Sequence, residues 1–139
     1  MSARWKGRRR EVDTVLRLVS VHARRENRIR ALALVGSYAH GRARMASDVD
    51  LMLLTEAPCP VDPIVALLDG RVMRRRNWGP VTETRMRRPS GLIVELNVAA
   101  TSWAAIDPVD PGTARVARDG LRACHDPDGL LARLVAALS

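Results

Sequence analysis

Four apolar residues, Val12, Val15, Leu16 and Val19, recur at i, i+3, i+4 and i+7. This spacing predicts a helix over about 9–26 with Arg17, Arg24 and Arg25 largely outside its apolar stripe. The period then changes. Ile29–Val35 and Val49–Leu54 are short apolar runs, the first ending in Gly36-Ser37 and the second near Ala57-Pro58, and both predict buried strands. A helix over about Pro63–Leu68 follows. Val81–Arg87 and Leu92–Val98 alternate as strands do, and Pro89-Ser90-Gly91 between them has turn chemistry, so the pair predicts a hairpin. Asp119-Gly120 predicts a second tight hairpin between Ala114–Arg118 and Leu121–His125. Asp126-Pro127-Asp128 opens a last helix with a capping oxygen and a proline, and Leu130, Leu131, Leu134, Val135 and Leu138 form its buried stripe.

These elements predict an α/β (α+β) domain, a mixed and mainly antiparallel sheet with helices against one face. Its 139 residues, 47% of them hydrophobic, suffice for one core but not for two, so 1–139 is read as one domain. The core of that domain is about 29–98, preceded by the basic helix and followed over about 113–139 by the second hairpin and the last helix. Cys59 and Cys124 have no C-x-x-C partner, which argues for free thiols in a reducing compartment. The basic start resembles the first part of a signal peptide, but Glu11, Asp13 and Arg17 interrupt the apolar stretch that should follow. The expectation is a cytoplasmic protein with no membrane contact.

Charge changes the picture in two ways. Lys plus Arg number 23 against 15 Asp plus Glu, a net charge of +8, and Lys6 is the only lysine. A phosphate-binding P-loop, which needs a lysine in G-x-x-x-x-G-K-[ST], is thereby excluded, and lysine Schiff-base chemistry nearly so. The charge is also segregated: residues 1–30 carry +7, 31–69 carry −3, 70–90 carry +6 and 91–139 carry −2. Arginines at 71–76, 85, 87 and 88 read either as a solvated loop and outer strand face or as a surface for a polyanion. Trp78 and Trp103 read as packing residues.

The candidate chemistry lies in the acidic segment. After Gly36-Ser37 comes a polar connection, and the next strand opens with Asp48-Val49-Asp50. Strand alternation puts both aspartates on one face, where a divalent cation would relieve their mutual repulsion. Gly36 lets a ligand approach the backbone, and the amides after it, with the Ser37 hydroxyl, suit phosphate oxygens. Glu95 is the only acid within an apolar strand, so its burial needs a reason such as metal ligation or proton abstraction. Glu83 on the partner strand is the alternative third carboxylate.

The order Gly36-Ser37, Asp48-Val49-Asp50, Glu95 resembles the DNA polymerase beta nucleotidyltransferase superfamily. Its minimal members are the nearest in pattern, a group related to aminoglycoside nucleotidyltransferases and to the antitoxins of HEPN toxin pairs. The resemblance implies that Asp48 and Asp50 bind two Mg2+ ions, that Glu95 binds one and helps activate an acceptor hydroxyl, and that Gly36, Ser37 and Ser47 contact the nucleotide. It implies in-line attack on the α-phosphate of an NTP, with ATP expected. His40 stands where many relatives have an arginine, leaving Arg42 or Arg44 to grip phosphate. The implied acceptors are a hydroxyl compound, a polyanion such as tRNA, or a HEPN-type toxin that the protein AMPylates. A silent nucleotide- or RNA-binding module of the same fold is the remaining alternative.

Overall fold

The computed structural model describes residues 2–139. Helix α1 (Ala3–Arg25) buries Val12, Val15, Leu16, Val19 and Ala23, the stripe its period predicts. It begins well before residue 9, because the Ser2 side chain accepts from the Trp5 amide and caps the basic first turn. Strands β1 (Ile29–Val35) and β2 (Val49–Thr55) pair antiparallel, and helix α2 (Asp62–Leu67) follows. The hairpin of β4 (Val81–Arg87) and β5 (Ile93–Ala100) forms around the Pro89-Ser90-Gly91 turn. After a 3-10 turn (Thr101–Ala104) come α3 (Pro111–Asp119), β6 (Leu121–His125) and α4 (Leu130–Ala137).

Three expectations are corrected. Residues Arg71–Trp78 are neither loop nor turn but an edge strand, β3, paired with β4 and exposed at every position, so no apolar alternation marks it. Residues 114–118 belong to α3 rather than to a hairpin arm. The Asp110 carboxylate accepts from the amides of Gly112 and Thr113, Pro111 opens the helix, and Gly120 ends it at φ 138. The last helix starts at Leu130 rather than at 126, although Asp126 does reach forward to the amides of Leu131 and Ala132. Leu131 and Leu134 are fully buried and Leu130 and Leu138 pack partly buried beside them, as expected, but Val135 is exposed.

The sheet has the order β3-β4-β5-β2-β1-β6, antiparallel throughout except where β2 runs parallel to β5. One face carries the larger core, in which Leu32, Leu34, Leu51, Leu53 and Leu96 meet α1 and α2. That is the expected layer of helices. The opposite face adds a smaller core, where Ala31, Ala33, Val35, Met52 and Leu54 meet Trp103 and the leucines of α4. Arg88 ties the hairpin turn to both helices of the larger layer, donating to Leu68 O and to Glu11 at 2.8 Å each. Cys59 and Cys124 are free and half-buried. Among the described residues, no helix is long and apolar enough to cross a membrane.

Candidate functional site

Register across the sheet determines which side chains meet. Val35, Asp50, Glu95, Arg85 and Arg74 are successive cross-strand partners on β1, β2, β5, β4 and β3, so they share one face. The next row on that face is Ala33, Met52, Asn97, Glu83 and Arg76. Both rows run from apolar positions under the smaller core to arginines on the bare edge strand. The acids lie between.

Asp48, just before β2, joins the first row through Arg85. Nη1 of Arg85 donates to Asp48 Oδ2 at 2.9 Å and to Glu95 Oε1. Asp50 sits beside Glu95, and burial, a hydrogen bond with Glu95 and the charges of Glu95 and Asp48 push its carboxyl up to about 8. The acidic partners hold the Arg85 guanidinium above its ordinary range despite partial burial. The three acids expected from the sequence are therefore neighbours. No trio of Asp, Glu, His or Cys among the described residues is arranged to hold a metal ion, and here the same guanidinium nitrogen stands between Asp48 and Glu95.

Gly36 borders this group with φ 75, a backbone region that glycine tolerates best. A Cβ there would stand 2.6 Å from Asp50 Oδ2, so glycine is required both by conformation and by contact. The chain then makes a tight turn in which Ala39 N and His40 N donate to Gly36 O and Arg42 N donates to Ser37 O. The amides of Ser37 and Tyr38 donate to no acceptor among the described residues. His40 Nδ1 accepts from Arg42 Nε at 3.1 Å, which makes it a loop-ordering residue. Ser47 Oγ accepts from Arg44 N, and Ser47 N donates to Arg44 O, closing the turn that leads into Asp48. The side chains of Arg42 and Arg44 are exposed. The Tyr38 hydroxyl is the one buried side-chain polar atom without a partner among the described residues, and its ring stacks on Trp5.

Glu83, the alternative third carboxylate, faces the same side but is engaged elsewhere. It accepts from Trp78 Nε1 at 2.6 Å and Arg74 Nη2 at 3.2 Å, and Arg76 Nε lies 3.5 Å away. Burial pushes its carboxyl up, but the Trp78 and Arg74 hydrogen bonds outweigh this and hold it below the usual glutamate range. Trp78 is exposed rather than packed, with the Arg76 guanidinium 4.1 Å from its ring centroid, whereas Trp103 is buried as expected. A cavity of about 350 Å3 opens beside Asp50 and Glu95, walled by Met52, Trp78, Trp103 and the start of α3.

Sequence reasoning counted Arg85 only among the arginines of an outer face or polyanion surface and missed its place between Asp48 and Glu95. The signal was present: the Pro89-Ser90-Gly91 turn sets the hairpin register, and counting outward from it puts Arg85 opposite Glu95. Residues 17–84 match the family model of the nucleotidyltransferase domain, a span that includes Gly36, Ser37, Asp48 and Asp50 and ends before Glu95. A comparison with curated proteins found no match.

Proposed function

Starting from the match of residues 17–84 to the nucleotidyltransferase domain, we propose that the protein transfers a nucleoside monophosphate, AMP in the first instance, from an NTP to a hydroxyl acceptor. The observation that carries this reading is the gathering of Asp48, Asp50 and Glu95 on one sheet face beside the Gly36 turn.

The donor set suits Mg2+. It consists of carboxylate oxygens, which hard cations prefer, and burial together with the neighbouring acids pushes Asp50 toward its protonated form. Asp48, Asp50 and Glu95 would hold the ions. Bound Mg2+ would neutralise phosphate charge and favour ionisation of the attacking hydroxyl. The chain's own groups do the rest. Gly36 leaves space beside Asp50 for phosphate, and the amides of Ser37 and Tyr38, which have no acceptor among the described residues, are donors for its oxygens. Arg42 and Arg44, exposed on the same connection, add positive charge. Glu95 takes the proton as the acceptor oxygen bonds to the α-phosphorus, and the bond to the β-phosphate oxygen breaks to release pyrophosphate. The cavity beside Glu95 offers an apolar, aromatic wall for the acceptor or the nucleoside.

The hold of Arg85 on Asp48 and Glu95 favours a second reading, a silent nucleotide-binding module. One experiment separates them. Purified protein is incubated with Mg2+, α-labelled ATP or another NTP, and cell lysate. The transferase reading expects a labelled tRNA, protein such as a HEPN-type toxin, or small molecule, with labelling lost in Asp48→Ala and Asp50→Ala. Binding of Mg–NTP without transfer would leave the silent module, and absence of Mg–NTP binding would remove both.

A further inference from the structure

Arg85 stands at a cation's place. One of its nitrogens bridges an oxygen of Asp48, just before β2, and an oxygen of Glu95, on β5, two acids that no other described hydrogen bond links. A guanidinium cannot lose its proton in a protein, so this is a permanent positive charge among three carboxylates. The side chain is a quarter exposed, it sits on a long stem, and the neighbouring edge strand is exposed along its whole length.

Its cross-strand partner on the outer side is Arg74, and like charges directly opposite on a sheet repel. Each arginine is balanced by its own acids, Arg85 by Asp48 and Glu95, Arg74 by Glu83. A group that took Asp48 and Glu95 away from Arg85 would leave its guanidinium unshared beside that of Arg74, of which one nitrogen alone bonds to Glu83, and the pair would be a site for phosphate oxygens.

Resting on the metal-dependent reading above, we propose that Arg85 is an exchangeable counter-cation of the site. In the free protein it holds Asp48 and Glu95 apart from solvent cations. When a divalent cation takes those carboxylates, Arg85 turns outward and pairs with the triphosphate beside Arg74. It is a positioning residue that makes metal and nucleotide binding mutually dependent, because a bare cation must compete with the guanidinium whereas the cation–nucleotide pair supplies the guanidinium with a new anion.

The test is Mn2+ binding, read by electron paramagnetic resonance on the intact chain without nucleotide. The exchange expects Arg85→Gln to bind Mn2+ at least tenfold more tightly than the wild type, and to bind a non-hydrolysable ATP analogue in the presence of Mn2+ more weakly. A merely structural Arg85 would give the opposite sign in the first measurement, since loosening the acids weakens a metal site. Equal Mn2+ affinities in wild type and variant would overturn the exchange and leave the metal-dependent reading standing. Absence of Mn2+ binding in both, with and without nucleotide, would overturn the two together. A wild-type measurement guards against a variant that fails to fold. The Arg85 Nε–H signal, assigned by its loss in Arg85→Lys, should shift on titration with Mg2+ and the analogue, and an unmoved signal in a protein that binds them refutes the exchange.

Discussion

Two acids on the same sheet face, Glu83 and Asp50, have opposite electrostatic fates. Glu83 receives an indole N–H and an arginine N–H, has a second arginine within 3.5 Å, and stays ionised below the ordinary range. Asp50 has no such donor among the described residues, and its burial, with Glu95 beside it, pushes its carboxyl up to about 8. A satisfied buried acid is a structural part, whereas an acid held in a place that disfavours its charge needs something from outside, and such groups concentrate at functional sites. The sheet thus separates a closed acid–arginine cluster at its edge from a cluster of three acids, two of which share one guanidinium. That contrast supports the proposal that the chemistry lies with Asp48, Asp50 and Glu95 rather than with Glu83.

The largest expected effect would come from removing the under-compensated acids. Asp50→Ala or Asp48→Ala should reduce labelled-nucleotide transfer by about a thousandfold or more. The far-ultraviolet circular dichroism spectrum should be unchanged. The corresponding Glu83→Ala change should leave transfer within a fewfold of wild type. If Glu83→Ala abolished transfer and Asp50→Ala did not, the assignment would be reversed.

Much of this contrast was legible before the fold was known, and the illegible part has identifiable causes. The larger core followed from the period of Val12 to Val19 and from the two apolar strands, because burial on a fixed face writes itself into spacing. Asp48 and Asp50 were readable because strand alternation needs no tertiary information. Strand β3 was not, since an edge strand with both faces exposed carries no apolar alternation and only its pairing with β4 defines it. Helix α3 was hidden by Asp119-Gly120, whose dipeptide serves a hairpin and a helix end equally well, while the deciding signal was Asp110-Pro111 at the other end. Arg85 required the hairpin register, and Glu83 required Trp78 and Arg74 from a strand not foreseen.

A smaller break in the contrast comes from the backbone. Gly36→Ala would put a methyl group against Asp50 Oδ2 and force a side-chain-bearing residue to φ 75. The conformational part costs about 1–2 kcal/mol. The displaced carboxylate should lower transfer by about a hundredfold, since ångström-scale misplacement has that effect. Urea unfolding and single-turnover transfer measure the two separately. Unchanged transfer would show that the position of Asp50 is not tied to the turn.

The two acids should also give opposite pH dependences. For Asp50 the folded carboxyl is raised from its ordinary 3.8 to about 8. The folded chain therefore holds a proton between about pH 4 and 8 that the unfolded chain has lost, and stability falls as pH rises through that window. His125, whose burial lowers its affinity for a proton, slopes the other way near its ordinary 6.5. The diagnostic quantity is thus the difference between wild type and Asp50→Asn. In urea titrations at pH 5, 6, 7 and 8 without divalent cations, the variant should lose the downward component. Parallel pH profiles for the two proteins would mean that Asp50 is ionised in the fold.

Glu83 gives the smallest effect and the sharpest control. Its folded carboxyl lies below the ordinary 4.5, so its contribution is fully present above that value and is lost as pH falls through the lower, folded value. Glu83→Gln keeps an acceptor for Trp78 Nε1 but removes the charge facing Arg74 and Arg76. A net loss of about 1 kcal/mol, or about 3–5 °C in melting temperature at pH 7, is expected. The loss should shrink as pH falls below 4.5 toward the lower value at which the folded wild-type carboxylate protonates as well. Mn2+ affinity should be unaltered, because Glu83 shares no hydrogen bond with Asp48, Asp50 or Glu95. A Glu83→Gln protein that lost Mn2+ binding would join the two acid clusters into one site and make the edge arginines part of it.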